Sequence, residues 1–250
     1  MRRNGVLAAS ARLAASCLAL LTLAVAPALA GDRALIDFIG YSEDGQYFAF
    51  EEYGIHDGSG GTYSSIYIVD LLADKWVDGS PFTVEEGGDA ADTPPLAQTR
   101  AKALAKAQEK LKPLKITTPV EIMSLLGDGV PDTDGRSMVF AVPMCCGPGQ
   151  MDDTRLSLAL TTFPAKLDED YCTEMNPVGY SLAYNDGTAT KVLHKDGDIL
   201  PKSRGCTLDY RLYAVVQPFD GRGGQVAIIS SYPFGFEGPD RRFLAVPIDQ

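Results

Sequence analysis

Short apolar and aromatic runs alternate with polar turns along most of the chain. In the first third, such runs cover residues 34–39, 47–50, 66–69 and 76–77. After residue 116 they recur at 138–142, 156–162, 180–184, 191–194, 210–217, 225–231 and 243–248. Asp-Gly pairs separate many of them, at 44–45, 134–135, 186–187, 196–197 and 220–221. Because such runs joined by Asp-Gly turns are typical of antiparallel hairpins, the pattern predicts about a dozen strands.

One segment breaks this pattern with a helical period. Thr93 followed by Pro94 is typical of a helix start, with Thr as the N-cap and Pro at the first helical position. Small, apolar and amide side chains then recur at the spacing of one helix face, at Ala97, Ala101, Leu104, Gln108 and Leu111. Proline cannot continue a helix, so Pro113 ends it, and we predict a helix over residues 93–112.

Basic residues crowd onto this helix. Together with its tail to Lys115, it holds six of the 19 basic residues that follow residue 30. Two interpretations stay open: a solvated face on a helix that packs on a sheet by its Ala/Leu stripe, or a face that contacts an acidic partner or anionic lipid. The stripe is mostly Ala, which is too small to insert well into a bilayer, so membrane binding is disfavoured.

These elements predict a mainly β fold, a sandwich or a propeller-like β-meander, with one inserted α-helix. Residues 31–250 are enough for a real core, and we predict that they form a single domain. The sequence lacks the regular alternation of strand and helix that a doubly wound nucleotide-binding sheet needs.

The first 30 residues have the three parts of a secretory signal peptide. Arg2, Arg3 and Arg12 give a positive start, an apolar stretch covers residues 13–26, and Ala28-Leu29-Ala30 is a small-residue cleavage motif. We expect cleavage before Gly31 and a mature protein in the periplasm or outside the cell. No transmembrane segment is expected in the mature chain, because no later run approaches the roughly 20 apolar residues of a membrane helix.

Charge excludes one class of partner. The chain has 22 basic and 33 acidic residues, a formal charge of −11, and loss of the three leader arginines takes it to −14. Nucleic-acid binding depends on Lys and Arg that neutralise phosphates, so we predict no nucleic-acid partner.

Four cysteines remain after the leader is removed, at Cys145, Cys146, Cys172 and Cys206. An even number in an exported chain predicts disulfides, and four cysteines allow three connectivities. A bond between the adjacent pair would close a strained small ring. We therefore favour two cross-links that each join one of the adjacent pair to Cys172 or Cys206. The alternative is a Cu(I) site, because Met144, Cys145, Cys146 and Met151 offer soft sulfur ligands.

Several separate motifs give the sequence a family resemblance. They lie at residues 38–42, 48–54, 57–60, 200–206 and 235–242 and include Phe-Ala-Phe-Glu-Glu-Tyr-Gly, Leu-Pro-Lys-Ser-Arg-Gly-Cys and Gly-Phe-Glu-Gly-Pro-Asp-Arg-Arg. In this order they resemble a family of predicted bacterial secreted proteins of unknown function, domain of unknown function 2259. The resemblance implies export and a single domain, and it implies no reaction, ligand or partner. A shorter segment, residues 41–70, resembles one blade of the Tol-type and WD40-like propeller repeats.

Enzyme chemistry has little support in the sequence. A Ser hydrolase needs a base, and the two histidines are His56 and His194. The segment His56-Asp57-Gly58-Ser59-Gly60 lacks the Gly two positions before Ser59 that a nucleophile elbow requires. Glu51 and Glu52 are adjacent, so on a strand they point to opposite faces and cannot act as a pair. We predict no catalytic residues and keep a secreted hydrolase as an alternative.

Calcium is the other metal that the sequence suggests, and together with the Cu(I) alternative it leaves a periplasmic metal-binding protein as a further possible function. Asp128, Asp132 and Asp134 lie in a Gly/Pro-containing loop, and hard cations bind several oxygens on such turns. The same loop also fits an ordinary Asp-Gly turn, and the downstream Glu of an EF-hand is missing.

The Gly-rich loop at residues 54–61 and the motif at 237–242 are the candidates for a ligand-binding rim. Glycines let backbone N–H groups approach a ligand, and guanidinium groups bind anions. The rim residues would be Asp57, Ser59, Glu237, Arg241 and Arg242. We predict that the two segments pack together through carboxylate–guanidinium contact, because β domains commonly bring their terminal strands together. The favoured function is a non-enzymatic binding or cell-envelope interaction domain, whose partner is an envelope protein, a peptide or a small ligand.

Overall fold

The structure, a computed structural model, describes residues 31–88, 92–127, 134–141, 155–172, 174–219, 221 and 223–248. These residues form fourteen β-strands, one α-helix and two short 3-10 turns. Most strands lie on the predicted apolar runs, and within the sheets they pair antiparallel. The predicted mainly β fold with one inserted helix is therefore confirmed.

Sheet A is built from strands of the first half of the chain. They are β1 (Leu35–Ser42), β2 (Tyr47–Ile55), β3 (Thr62–Asp70), β4 (Lys75–Trp76), β5 (Phe82–Glu86) and β6 (Ile116–Thr118). The order is β4-β3-β2-β1-β6, and β5 joins β4 on the outer edge of β3. The strand β5 was not among the predicted runs.

Two four-stranded sheets come from the second half. Sheet B has the order β14-β13-β12-β7 and consists of β7 (Val120–Leu125), β12 (Thr207–Pro218), β13 (Val226–Pro233) and β14 (Arg242–Pro247). Sheet C has the order β11-β10-β9-β8 and consists of β8 (Ser137–Phe140), β9 (Leu156–Pro164), β10 (Val178–Asn185) and β11 (Thr190–Lys195). The strand β14 is thus an edge strand of sheet B.

Sheet B is the central layer, with both faces buried. Leu212 and Ile229 pack against sheet C, whereas Ala214 and Ile228 pack against sheet A. This is why β13 is apolar at consecutive positions rather than at alternate ones, since a strand covered on both faces has no solvent side. The other face of sheet A is covered by the helix, which gives four layers.

The helix α1 spans Leu96–Leu111, so it begins later than the predicted Thr93, and its N-cap is Pro95 without a side-chain cap. The predicted stripe is also wrong, because Ala97, Ala101 and Leu104 are exposed. The buried positions are Thr99, Ala103, Ala107 and Leu111. Small side chains at fourfold spacing let the helix lie close on Ile66 and Ile68 of β3.

Three basic side chains of α1 contact the protein's own sheet. Arg100 donates to both oxygens of Glu51, at 2.9 and 2.7 Å, and lies over the ring of Tyr53. Lys102 pairs with Glu86, and Lys106 donates to a backbone carbonyl of β5 at 2.9 Å. The helix therefore packs on a sheet, as one interpretation expected, but these three side chains are paired with that sheet rather than only solvated.

One disulfide lies in the described residues, and it joins Cys172 to Cys206. The predicted cross-pairing with Cys145 or Cys146 is wrong for these two cysteines. Their segments are brought together by backbone bonds between Lys166 and residues 198–200, which place the two Cα atoms 5.5 Å apart in a small apolar cluster. Cys145 and Cys146 lie outside the described residues.

The predicted signal peptide, residues 1–30, also lies outside the described residues. Within the described part of the chain, no helix has the length and apolar character needed to cross a membrane.

Candidate functional site

His56 lies at the end of β2 in a set of four polar and aromatic side chains. Its Nδ1 donates to Oδ2 of Asp32 at 2.5 Å, and its ring stacks on Tyr63 with centroids 4.7 Å apart. The guanidinium of Arg242 lies 4.9 Å from the same Tyr63 ring and donates to its hydroxyl at 2.8 Å. We call Asp32, His56, Tyr63 and Arg242 the first His set.

His194 on β11 lies in a set of the same four residue types. Its Nε2 donates to Oδ1 of Asp196 at 2.9 Å, and its ring stacks on Tyr180 at 4.7 Å. The guanidinium of Arg204 lies 5.1 Å from the Tyr180 ring and 3.4 Å from the Asp196 carboxylate. We call Asp196, His194, Tyr180 and Arg204 the second His set.

A groove runs between the two sets. It consists of two adjoining pockets of about 440 and 370 Å³, which share Trp76, Ser203, Arg204 and Leu244. The larger contains His194 and Tyr180 of the second set, and the smaller contains Tyr63 and Arg242 of the first. These volumes are in the usual range for ligand sites.

The groove follows the edge of β14. Consecutive residues Arg242 to Val246 line it, whereas alternate residues would line a groove on one face of a sheet. Trp76 on β4, Thr83 on β5 and the 3-10 turn Lys202–Arg204 also line it. We call this feature the β14 groove.

The charges in the smaller pocket differ from those of the chain as a whole. It contains Lys202, Arg204 and Arg242 against Glu52 and Glu85. Glu52 is buried, and its Oε2 accepts the N–H of Phe243 at 2.8 Å. Burial raises the pKa of Glu52 to about 7, although Arg242 and that N–H oppose the rise. Near neutral pH, Glu52 therefore compensates only part of the charge of Arg242.

The carboxylates of the two His sets are ionised anchors. Burial alone would raise the pKa of Asp32, but hydrogen bonds from His56 and from the Asp57 amide lower it below its usual value. The pKa of Asp196 is lowered in the same way, by His194 and Arg204 against the effect of burial.

The loop at 54–61 and the segment 237–242 are neighbours. The carboxyl groups of Asp57 and Glu237 lie within hydrogen-bond reach, which raises the pKa of Glu237. Gly31 lies so close to this segment that a Cβ would be 2.4 Å from the carbonyl oxygen of Pro239. The loop closes on itself, since Gly60, at φ +68°, donates to the His56 carbonyl at 2.8 Å.

The contact between these segments is not the expected ion pair with Asp57. Arg242 faces Glu52 and Asp32, with Nε 3.6 Å from Oε1 of Glu52 and Nη2 4.0 Å from Oδ2 of Asp32. Arg241 does not belong to the predicted rim, because it is only 2% exposed and its Nε donates to the carbonyl of Ala34 at 2.9 Å.

Of the five predicted rim residues, only Arg242 lines the β14 groove. Asp57, Ser59 and Glu237 lie outside its walls. The Ser59 hydroxyl accepts the N–H of Gly61 at 3.2 Å, which is the local bond of a turn.

The predicted metal ligands divide between described and undescribed residues. Asp128 and Asp132, like Met144, Cys145, Cys146 and Met151, lie outside the described residues. Asp134 is exposed, and its Oδ1 accepts the N–H of Arg136 at 2.9 Å. Within the described residues, no cluster of three or more His, Cys, Asp or Glu side chains could hold a metal ion. Cys172 and Cys206 are in the disulfide and offer no thiolate.

The sequence analysis did not identify the pairs Asp32–His56 and His194–Asp196. The first pair joins residues that are distant in the chain, and the second depends on the conformation at the end of β11. A signal for the groove was nevertheless present. The motifs at 48–54, 200–206 and 235–242 that carry the family resemblance contain Glu52, the turn Lys202–Arg204 and Arg242, which meet in the smaller pocket.

The comparisons with known proteins give one match. A family described as predicted secreted protein (DUF2259) matches residues 49–249. No curated protein and no solved structure matches the chain.

Proposed function

We propose that this chain, which belongs to the DUF2259 family of predicted secreted proteins, is an exported, non-enzymatic binding protein whose ligand lies in the β14 groove. The observation that supports this proposal most is the composition of the groove. Aromatic side chains, three cations and a strand edge converge on one concavity in a chain that is otherwise strongly acidic. An anionic or peptide ligand fits this combination.

A groove-filling variant tests the proposal. Ser203 is exposed and lies where the two pockets meet, so Ser203→Trp places a large ring inside the groove. Ala101→Trp, on the exposed face of α1, adds the same ring elsewhere. We expect a thermal-shift screen with anionic metabolites and a random peptide mixture to give shifts with the wild type and with Ala101→Trp. Loss of the shifts in Ser203→Trp supports the groove, and equal shifts in all three proteins contradict it.

A secreted hydrolase is the second candidate, because His194 and Ser203 both line the larger pocket and His194 is hydrogen-bonded to Asp196 behind it. A base oriented by a carboxylate beside a hydroxyl is the arrangement of nucleophilic catalysis. The described contacts include no hydrogen bond between His194 and Ser203, so binding is favoured. Covalent labelling by a fluorophosphonate probe that is lost in both Ser203→Ala and His194→Ala would reverse this order.

A further inference from the structure

Along β14 and the residue before it, three residues direct their backbone N–H and C=O groups away from β13. They are Arg241, Phe243 and Ala245. In an antiparallel strand, alternate residues direct their N–H and C=O groups to the same side. Phe243 donates outward to Glu52, and Ile248 donates inward to Gln225 of sheet B, which fixes this alternation. Ala245 therefore directs its N–H and C=O into the groove.

The chain itself already uses the first of these positions for strand pairing. Residues 32–34 run parallel to β14 beside Arg241, with Arg241 N–H donating to Asp32 at 2.8 Å and Ala34 N–H donating to Arg241 at 3.3 Å. The second position is closed on its N–H side by the Glu52 carboxylate. Among the described residues, none accepts a hydrogen bond from the N–H of Ala245. Pro247 has no N–H, so the open edge ends there.

The charged side chains that line the groove leave a small cationic excess, with Lys75, Lys202, Arg204 and Arg242 against Asp74, Glu52 and Glu85. Arg242 is 30% exposed, and its distances to the oxygens of Glu52 and Asp32, 3.6 and 4.0 Å, are too long for direct hydrogen bonds. Its Nη1 donates to the Tyr63 hydroxyl and to the Arg241 carbonyl, so the N–H groups that remain for a ligand are those of Nε and Nη2. Lys202 and Arg204 face the same pocket. An acidic group beside the edge strand would be bound by charge-assisted hydrogen bonds.

We infer that the ligand is an extended acidic peptide segment, which pairs its backbone with the edge of β14 at Ala245 and places a carboxylate on Arg242. This inference rests on the proposed function and names its ligand class. Addition of a strand to an exposed edge is a common mode of peptide recognition, in which the backbone supplies affinity and flanking pockets supply specificity. Trp76 and the ring of Tyr67 would contact the side chains next to the carboxylate.

Selection from a random heptapeptide display library on the mature protein tests this inference. We expect selected peptides to share an Asp or Glu at one position. Synthetic versions with that residue changed to Gln or Asn should bind about tenfold more weakly, as should the protein variant Arg242→Gln. Arg211→Gln is the matched control, because Arg211 is partly exposed and does not line the groove.

Backbone pairing has its own test, which leaves the protein unchanged. A peptide N-methylated at the residues that face Ala245 keeps its charge and loses a donor, and we expect its binding to fall by a similar factor. Free acetate or sulfate that competes as well as the peptide would show a small-anion site and overturn the inference. So would selected peptides without a shared acidic residue, or equal affinity after N-methylation. In each of these cases Ser203→Trp would still abolish binding. If the proposed function itself is wrong, the result is different: every peptide would bind the wild type and Ser203→Trp equally, or bind neither.

Discussion

Two neighbouring arginines show how the twofold period of a strand separates structural from binding residues. Arg241 is enclosed and donates to the Ala34 carbonyl, and its guanidinium lies 5.3 Å from the ring of Phe243. Arg242 points to the other side, towards the groove. Both arginines belong to one sequence motif, and only the register of β14 shows which of them is buried and which lines the groove.

Arg241→Ala should destabilise the protein strongly. The substitution leaves a buried carbonyl without its charged donor and opens a cavity, and together these cost roughly 2–4 kcal/mol. Arg211→Ala, a partly exposed arginine paired with Asp209, should cost about 1 kcal/mol or less. Urea unfolding of both variants measures the difference. Equal losses would mean that Arg241 is not enclosed as described.

Glu52 should make stability depend on pH near neutrality. Its pKa rises from the ordinary 4.5 to about 7 in the folded protein, so the folded state holds the proton more tightly than the unfolded state. Its contribution is therefore fully present below pH 4.5 and is lost as the pH rises through 7.

The comparison with Glu52→Gln isolates this effect. The unfolding free energy of the wild type minus that of the variant should decrease from pH 4.5 to 7, by at most about 1.4 kcal/mol per pH unit. The exposed Glu109→Gln serves as the control and should give a flat difference. A difference that rises with pH for Glu52→Gln would contradict the burial of its carboxyl group.

At the scale of elements, α1 shows where a sequence pattern is ambiguous. Its existence and its end near Pro113 could be predicted, because the period and the proline are strong signals. Its buried face could not, since Ala occupies both the exposed and the buried stripes. The contacts with β3 decide between them, and those depend on the tertiary structure.

A matched pair of substitutions tests the observed face. Ala103 is fully buried against sheet A, so Ala103→Leu should overpack this interface and cost about 1–3 kcal/mol. Ala101→Leu adds the same atoms on the exposed face and should change stability by about 0.5 kcal/mol or less. Chemical denaturation of both variants gives the result. A larger loss of stability for Ala101→Leu than for Ala103→Leu would mean that the face predicted from the sequence is the buried one.

The Cys172–Cys206 bond should stabilise both the fold and one wall of the groove. Its sequence separation of 34 residues predicts about 3–4 kcal/mol from restriction of the unfolded chain. Only Gly205 separates the turn Lys202–Arg204 from Cys206, so loss of the disulfide should also weaken ligand binding. Cys172→Ser combined with Cys206→Ser, compared by thermal unfolding with the oxidised wild type, tests the first effect. Peptide mapping that finds Cys172 bonded to Cys145 or Cys146 would refute the pairing.

For the whole molecule, local signals were sufficient for the strands and insufficient for their assembly. Strand runs and Asp-Gly turns depend on neighbouring residues, so β2, β9, β10 and β12 could be predicted. The division into three sheets depends on long-range pairings such as that of β7 with β12, for which one sequence contains no signal. The β14 groove exists because of that division, so its location could not be predicted from the sequence.

Export should remove residues 1–30. The N-terminal pattern and membership of a predicted secreted family support cleavage before Gly31. We expect the intact mass of protein isolated from cell envelopes or culture medium to correspond to residues 31–250, and the fraction in which it is found to distinguish periplasm from secretion. A mass that includes the leader, or lipid on Cys17, would contradict this prediction.

The bonds between residues 32–34 and Arg241 constrain the order in which contacts can form during folding. They join atoms 207 residues apart in the chain, and closing such a loop costs roughly 5 kcal/mol of chain entropy before any contact compensates it. A ribosome releases Asp32 long before Arg241, so the nascent chain can form the bonds of Asp32 to His56 and Asp57 early. Its bonds to Arg241 must wait until nearly all the rest is synthesised. High contact order of this kind makes folding slow. The pairing of residues 32–34 with Arg241 is therefore one of the last contacts that the molecule can make, because it cannot form until the last strand has been synthesised.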